Sequence, residues 1–130
     1  MTSDRQFPTS ERLKRSSDFD VAIRTGSFFR HRLVTVVVSS GGAAHRRLGV
    51  SVGKRVGGAV RRNRLKRRLR ALYAAHRDLL PEGCDCVIIA KPEAAGAKAG
   101  SLGGVVRNAF AQAGRSPRGR QALPGRGAAR

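Results

Sequence analysis

Leu48-Gly49-Val50-Ser51-Val52-Gly53-Lys54-Arg55-Val56-Gly57-Gly58-Ala59-Val60-Arg61-Arg62-Asn63-Arg64-Leu65-Lys66-Arg67 changes its period half-way. Within residues 48–52, Leu48, Val50 and Val52 are aliphatic, and the run reads as a strand. Residues 53–58 are basic and glycine-rich, which marks a connection. From Ala59 the period becomes helical. Leu65, Leu69, Leu72 and His76 recur at i, i+4, i+7 and i+11 and predict a buried stripe on a helix over 59–76.

Upstream, Leu33-Val34-Thr35-Val36-Val37-Val38 is apolar on both faces, as a central strand requires. It pairs, on this reading, with strand 48–52 through the glycine-rich turn. Residues 27–32 form part of the same strand or a short separate one. Before them, Ser16, Ser17 and Asp18 are N-cap types, and Phe19, Ala22 and Ile23 share one helical stripe. Gly26 is placed to stop that helix, expected over 17–25.

Downstream, Pro81 and Gly83 end the long helix segment, and Cys86-Val87-Ile88-Ile89-Ala90 is a third strong strand. Residues 92–100 read as a small-residue loop. Ser101 is a candidate N-cap for a last helix whose apolar face is Leu102, Val105, Val106, Ala109, Phe110 and Ala113. The expected order is α-β-β-β-α-β-α, an α/β (α+β) two-layer sandwich. One domain spans 1–113, the size a single core of this length supports. Residues 114–130 are Gly, Pro, Arg and Gln without periodicity, a basic tail expected to stay disordered until it meets RNA.

Charge points to a partner. The chain has 27 Lys+Arg against 8 Asp+Glu, a formal charge of +19. Between Val21 and Arg77 there is no acid, yet that stretch holds 15 Lys+Arg and all three histidines. Ordinary surfaces mix the signs, so a one-signed middle calls for a phosphate-rich partner. Within 61–70 there are seven cations in ten residues. Like charges four apart, such as Arg64/Arg68 and Lys66/Arg70, each cost about 0.2–0.5 kcal/mol. Docked phosphates would supply the missing negative charge. Arg presents a planar fork to phosphate oxygens, and Asn63 can pair with a base edge or ribose.

Other chemistries find little support. Gly49-x-x-x-Gly53-Lys54 is one residue short of the P-loop spacing and lacks the following Ser/Thr. His31, His45 and His76 have no metal-ligand spacing, and no Ser-His-Asp or Cys-His arrangement is evident. The basic middle offers no carboxylate cluster for a two-metal nuclease. No catalytic or metal-binding residue is therefore expected in the chain. Cys84 and Cys86 are too close for an ordinary disulfide and read as reduced thiols. No apolar run is long enough to cross a bilayer, and residues 1–15 lack a signal-peptide apolar region. These features lead to an expected cytoplasmic location. Three partner classes remain open on charge alone: the RNA of a ribonucleoprotein enzyme, structural RNA such as that of the ribosome, and nucleoid DNA.

The stretch quoted at the outset resembles the signature of the bacterial ribonuclease P protein family. Arg62, Asn63, Arg64, Lys66 and Arg67 match its Arg-Asn-Arg-x-Lys-Arg core, with Ala59-Val60 opening the helix and Lys54-Arg55 before it. Arg12-Leu13-Lys14, Asp18-Phe19 and Gly26 also sit where the family has them, and the resemblance covers 7–113. It implies a fold like ribosomal protein S5 domain 2, with a left-handed β-α-β crossover. It further implies a protein subunit that binds a catalytic RNA and precursor tRNA, with cleavage and Mg²⁺ on the RNA side and the 5′ leader removed. The RNA-binding residues would be Lys54, Arg55, Arg61, Arg62, Asn63, Arg64, Lys66, Arg67, Arg68 and Arg70. A cleft between the first helix and the sheet would hold the leader, lined by Phe19, Ile23 and Val37. Phe19 can either stack a base or pack in the core. Ile23 and Val37 stand where aromatics occur in the family. Phe28, Phe29 and Tyr73 could compensate for the missing aromatics, but each reads first as a packing residue.

Overall fold

The computed structural model describes Leu13 and residues 16–40, 46–81 and 83–115. Helix α1 (Ser16–Thr25) leads into strands β1 (Ser27–Arg30), β2 (Val34–Ser40) and β3 (Arg47–Val52). Helix α2 (Ala59–His76), strand β4 (Cys84–Ala90) and helix α3 (Ala99–Arg115) follow. The expected element order holds, and residues 27–30 form a separate strand. The rest of the basic tail, 116–130, lies outside the described residues.

The sheet order is β1-β2-β4-β3. β2 is antiparallel to both β1 and β4, and β3 runs parallel to β4. The expected pairing of strand 48–52 with β2 is therefore corrected. β4 inserts between them, because six of its seven residues are buried and a strand covered on both faces belongs inside a sheet. β3 leaves Ser51 exposed and tolerates the edge.

Period-2 alternation sorts the side chains into two cores. On one face Val34, Val36 and Val38 of β2, Leu48 and Val52 of β3, and Cys86 and Ile88 of β4 pack beneath α2 and α3. This face and its two helices make the main sandwich. On the other face Val37 and Val87 form a smaller cluster with Leu13 and with Ala22 of α1, which lies across it.

Two details of the helices differ from expectation. The buried residues of α2 are Leu65, Leu69 and Tyr73, while Leu72 and His76 are only half-buried. At 100° per residue Tyr73 continues the drift from Leu65 to Leu69, whereas Leu72 falls back on the flank. There it meets α3 at Gly103, where a Cβ would lie 3.3 Å from the Leu72 side chain. Tyr73 instead makes an edge-to-face contact with Phe110, with ring centroids 6.1 Å apart. Helix α3 starts at Ala99, so Ser101 lies in its first turn, exposed, and is not its N-cap.

Candidate RNA-binding surface

β3 ends at Val52, and a 3-10 turn at Lys54–Val56 carries the chain into α2. Gly57 has φ +148°, a conformation side chains resist, and a Cβ there would lie 2.5 Å from Arg61 Cδ. This tight corner sets where α2 begins. Its carbonyl accepts an N–H from Arg62 Nε at 3.1 Å. Gly58 provides no side-chain cap, and the first turn of α2 holds no acid. The helix thus presents free N–H groups and the positive end of its dipole.

The cations divide by exposure. Lys54, Arg55, Arg61, Asn63, Arg64 and Arg67 are exposed. Arg62, Lys66, Arg68 and Arg70 are half-buried, and Arg68 Nη2 donates to the Ala97 carbonyl at 3.3 Å. Among the described residues, none of Lys54, Arg55, Arg61, Arg64 and Arg67 has an acidic partner. Val60, 72 % exposed, stands beside them as the most exposed large apolar residue described.

Two of the described acids lie on the opposite face of the sheet. Asp85 of β4 and Asp18 of α1 both face Arg47 of β3. Two residues further along β3 comes Gly49, and the Phe19 ring lies directly against its backbone. A Cβ on Gly49 would meet ring atoms at 2.5 and 2.6 Å. Thr25, at the end of α1, meets Ser39 of β2 through their hydroxyls at 2.7 Å. On the helical wheel Asp18 and Thr25 share one flank of α1, Ala22 is central, and Phe19 and Ile23 share the other flank.

Strand register shows what Phe19 and Ile23 look onto. Phe28, Val37, Val87 and Gly49 stand in one row across the sheet, and Arg30, Thr35, Ile89 and Ser51 in the next. α1 covers the first row, where Val37 is 0 % exposed. Val37 therefore supports the cleft from beneath and offers no surface of its own. The second row is accessible at Arg30, Ile89 and Ser51. The strip of sheet beside α1, flanked by Phe19 and Ile23, is thus the candidate cleft. Ser51, at its β3 end, is three residues from Lys54. Ile89, Ser51 and Arg30 escaped the sequence reading. Alternation within each strand was visible, but which strands adjoin was not.

Remaining polar groups are quieter. His31 Nδ1 accepts the Leu33 N–H at 3.0 Å, shaping the β1–β2 turn. Cys84 and Cys86 are free and buried. Burial pushes the Cys84 thiol up to about 12 and Cys86 well above a thiol's ordinary value, so neither is a ready nucleophile. Among the described residues no three of His, Cys, Asp and Glu gather as metal ligands, and no helix is long and apolar enough to cross a membrane.

A family model described as Ribonuclease P matches residues 7–114. The chain belongs to the ribonuclease P protein family. It is 43 % identical over 86 residues to the ribonuclease P protein component of Dictyoglomus turgidum, covering 66 % of this chain and 72 % of that one. With the corresponding protein of Kocuria rhizophila it shares 42 % over 107 residues, 82 % and 95 % of the two chains. The fold agrees with the solved RNase P protein of Staphylococcus aureus (TM-score 0.69, 27 % identity, 75 % of this chain and 90 % of that one). It agrees equally with that of Thermotoga maritima (TM-score 0.70, 25 % identity, 78 % and 96 %). The chain is thus a ribonuclease P protein subunit, acting with RNA in the maturation of tRNA 5′ ends. Among the partner classes open on charge alone, membership of this family implies an RNA partner.

Proposed function

We propose that this ribonuclease P protein binds the catalytic RNA through Lys54, Arg55 and the cations and Asn63 of α2. In the same complex it receives the single-stranded 5′ leader of precursor tRNA in the groove beside α1. The observation that carries the reading is the set of exposed cations on α2, which have no acidic partner among the described residues. Repulsion among these cations works against the free protein and is relieved when phosphates dock. Arg62 and Arg68, held by backbone carbonyls, would stiffen the surface that the exposed cations present.

Cleavage belongs to the RNA on this reading. The Mg²⁺ ions that activate water would be held by RNA phosphates. The protein supplies fixed positive charge where catalytic RNA and substrate phosphates crowd, and a groove that recognises leader. Both tasks place it in the cytoplasm with precursor tRNA.

The test is cleavage of a 5′-extended precursor tRNA at low Mg²⁺ with protein alone, with the cognate ribonuclease P RNA alone, and with both. Cleavage only with both is expected. Equal activity of the RNA alone at every Mg²⁺ concentration would overturn the proposal.

A further inference from the structure

We propose that Phe28 and Arg30 of β1 form a second nucleobase platform for the leader, at the far rim of the groove from Phe19. This rests on the reading of that groove as the leader site. Phe28 faces the α1 side of the sheet, packs against the small cluster, and sits directly across from Val37. Val37 itself is sealed under α1, whereas Phe28 is half-buried at the sheet edge.

Arg30 follows two residues on, so its side chain emerges on the same face. Its guanidinium carbon lies 4.8 Å from the Phe28 ring centroid, over the ring. The contact holds a long, exposed side chain in place. Among the described residues Arg30 has no acidic partner. A guanidinium seated on a ring presents a flat outer face to an unpaired base and N–H groups to a phosphate. Single-stranded RNA carries both; a duplex hides its bases. Gly49 and Phe28 end the same row, three strand spacings or about 14 Å apart. Phe19, over Gly49, and Arg30, over Phe28, therefore flank the row of Thr35, Ile89 and Ser51, accessible at Ile89 and Ser51, from opposite ends.

The experiment uses the complex with the cognate ribonuclease P RNA. Its affinity is measured for mature tRNA and for precursors of stepwise longer leader, with wild type, Arg30→Ala, Arg30→Lys, Phe28→Leu and Phe19→Ala. Arg30→Ala is expected to weaken binding of the longer precursors about five- to tenfold, with the loss confined to leader-bearing substrate. Arg30→Lys restores little, because an ammonium has charge but no plane. Phe28→Leu keeps the apolar packing and reproduces most of the loss. Unchanged affinity in both Arg30 variants and in Phe28→Leu, with Phe19→Ala still losing the leader's contribution, overturns the platform alone. If lengthening the leader adds nothing even to wild type, the groove reading fails and the platform with it. Full rescue by Arg30→Lys would reduce Arg30 to a phosphate contact and reject stacking.

Discussion

Arg47 grips the carboxylate of Asp85 with two N–H···O bonds, Nε to Oδ1 and Nη2 to Oδ2, both 2.8 Å long. Its third nitrogen, Nη1, lies 3.9 Å from Asp18 of α1. The acid sits on central strand β4 with its side chain 6 % exposed, and the arginine on edge strand β3 directly across from it. The pair therefore fastens the parallel β3–β4 contact and draws the first turn of α1 onto the sheet. Asp85 raises the Arg47 pKa above its ordinary value, chiefly through this hydrogen bond, so the guanidinium stays charged at any physiological pH. Arg47→Ala would leave a nearly buried carboxylate unpaired. The expected loss is about 2–3 kcal/mol of unfolding free energy, read by urea titration. Arg47→Met combined with Asp85→Leu should recover much of it, because the double change removes the orphaned charge. Equal losses in single and double variants would show that the pairing contributes nothing specific.

Gly49→Ala tests the seat of Phe19. The new methyl would overlap the ring, and strand backbone cannot yield as a side-chain tip does. Phe19 must move, at about 1–3 kcal/mol of overpacking cost. The same variant should weaken precursor binding while leaving the salt dependence of RNA binding unchanged, since no cation is touched. Unchanged stability would mean that Phe19 is held only loosely over β3.

Arg64→Ala and Arg67→Ala remove exposed cations of α2. Folding stability should stay within about 0.5 kcal/mol of wild type. Affinity for the ribonuclease P RNA should fall, and the slope of log K against log salt should shrink by about 0.7–0.9 per lost phosphate contact. An unchanged slope in both variants would remove these residues from the interface.

The buried thiols give a pH signature. Cys84 and Cys86 lose their protons readily only when unfolded, near 9.0, because the folded interior disfavours the thiolate. Their contribution is fully present below pH 9 and is lost as pH rises from there towards about 12 for Cys84. Each thiol should therefore steepen the fall in stability above pH 9 by up to about 1.4 kcal/mol per pH unit. Comparing urea midpoints at pH 7.5 and 10 for wild type and Cys84→Ala isolates this share. Identical pH dependence in the two would show that the thiol is not protected.

Much of this architecture was written in local patterns. The β-branched run of β2, the leucine spacing of α2 and the apolar stripe of α3 located the elements, because period alone separates strand from helix. Seven cations without a neighbouring acid marked the RNA-binding helix, since net charge and its clustering need no fold to be read. Strand adjacency was decided only in three dimensions. β4 displaces β3 from β2 because burial on both faces is a property of the assembled sheet, and a glycine-rich turn does not enforce a hairpin. That single rearrangement sets Asp85 opposite Arg47, Gly49 under Phe19, and Ile89 and Ser51 in the open row with Arg30. It also sends Val37 beneath α1, where sequence alone placed it in the cleft wall. The charged helix was legible because its signal is local. The groove was not, because it is assembled from residues that only the sheet register makes neighbours.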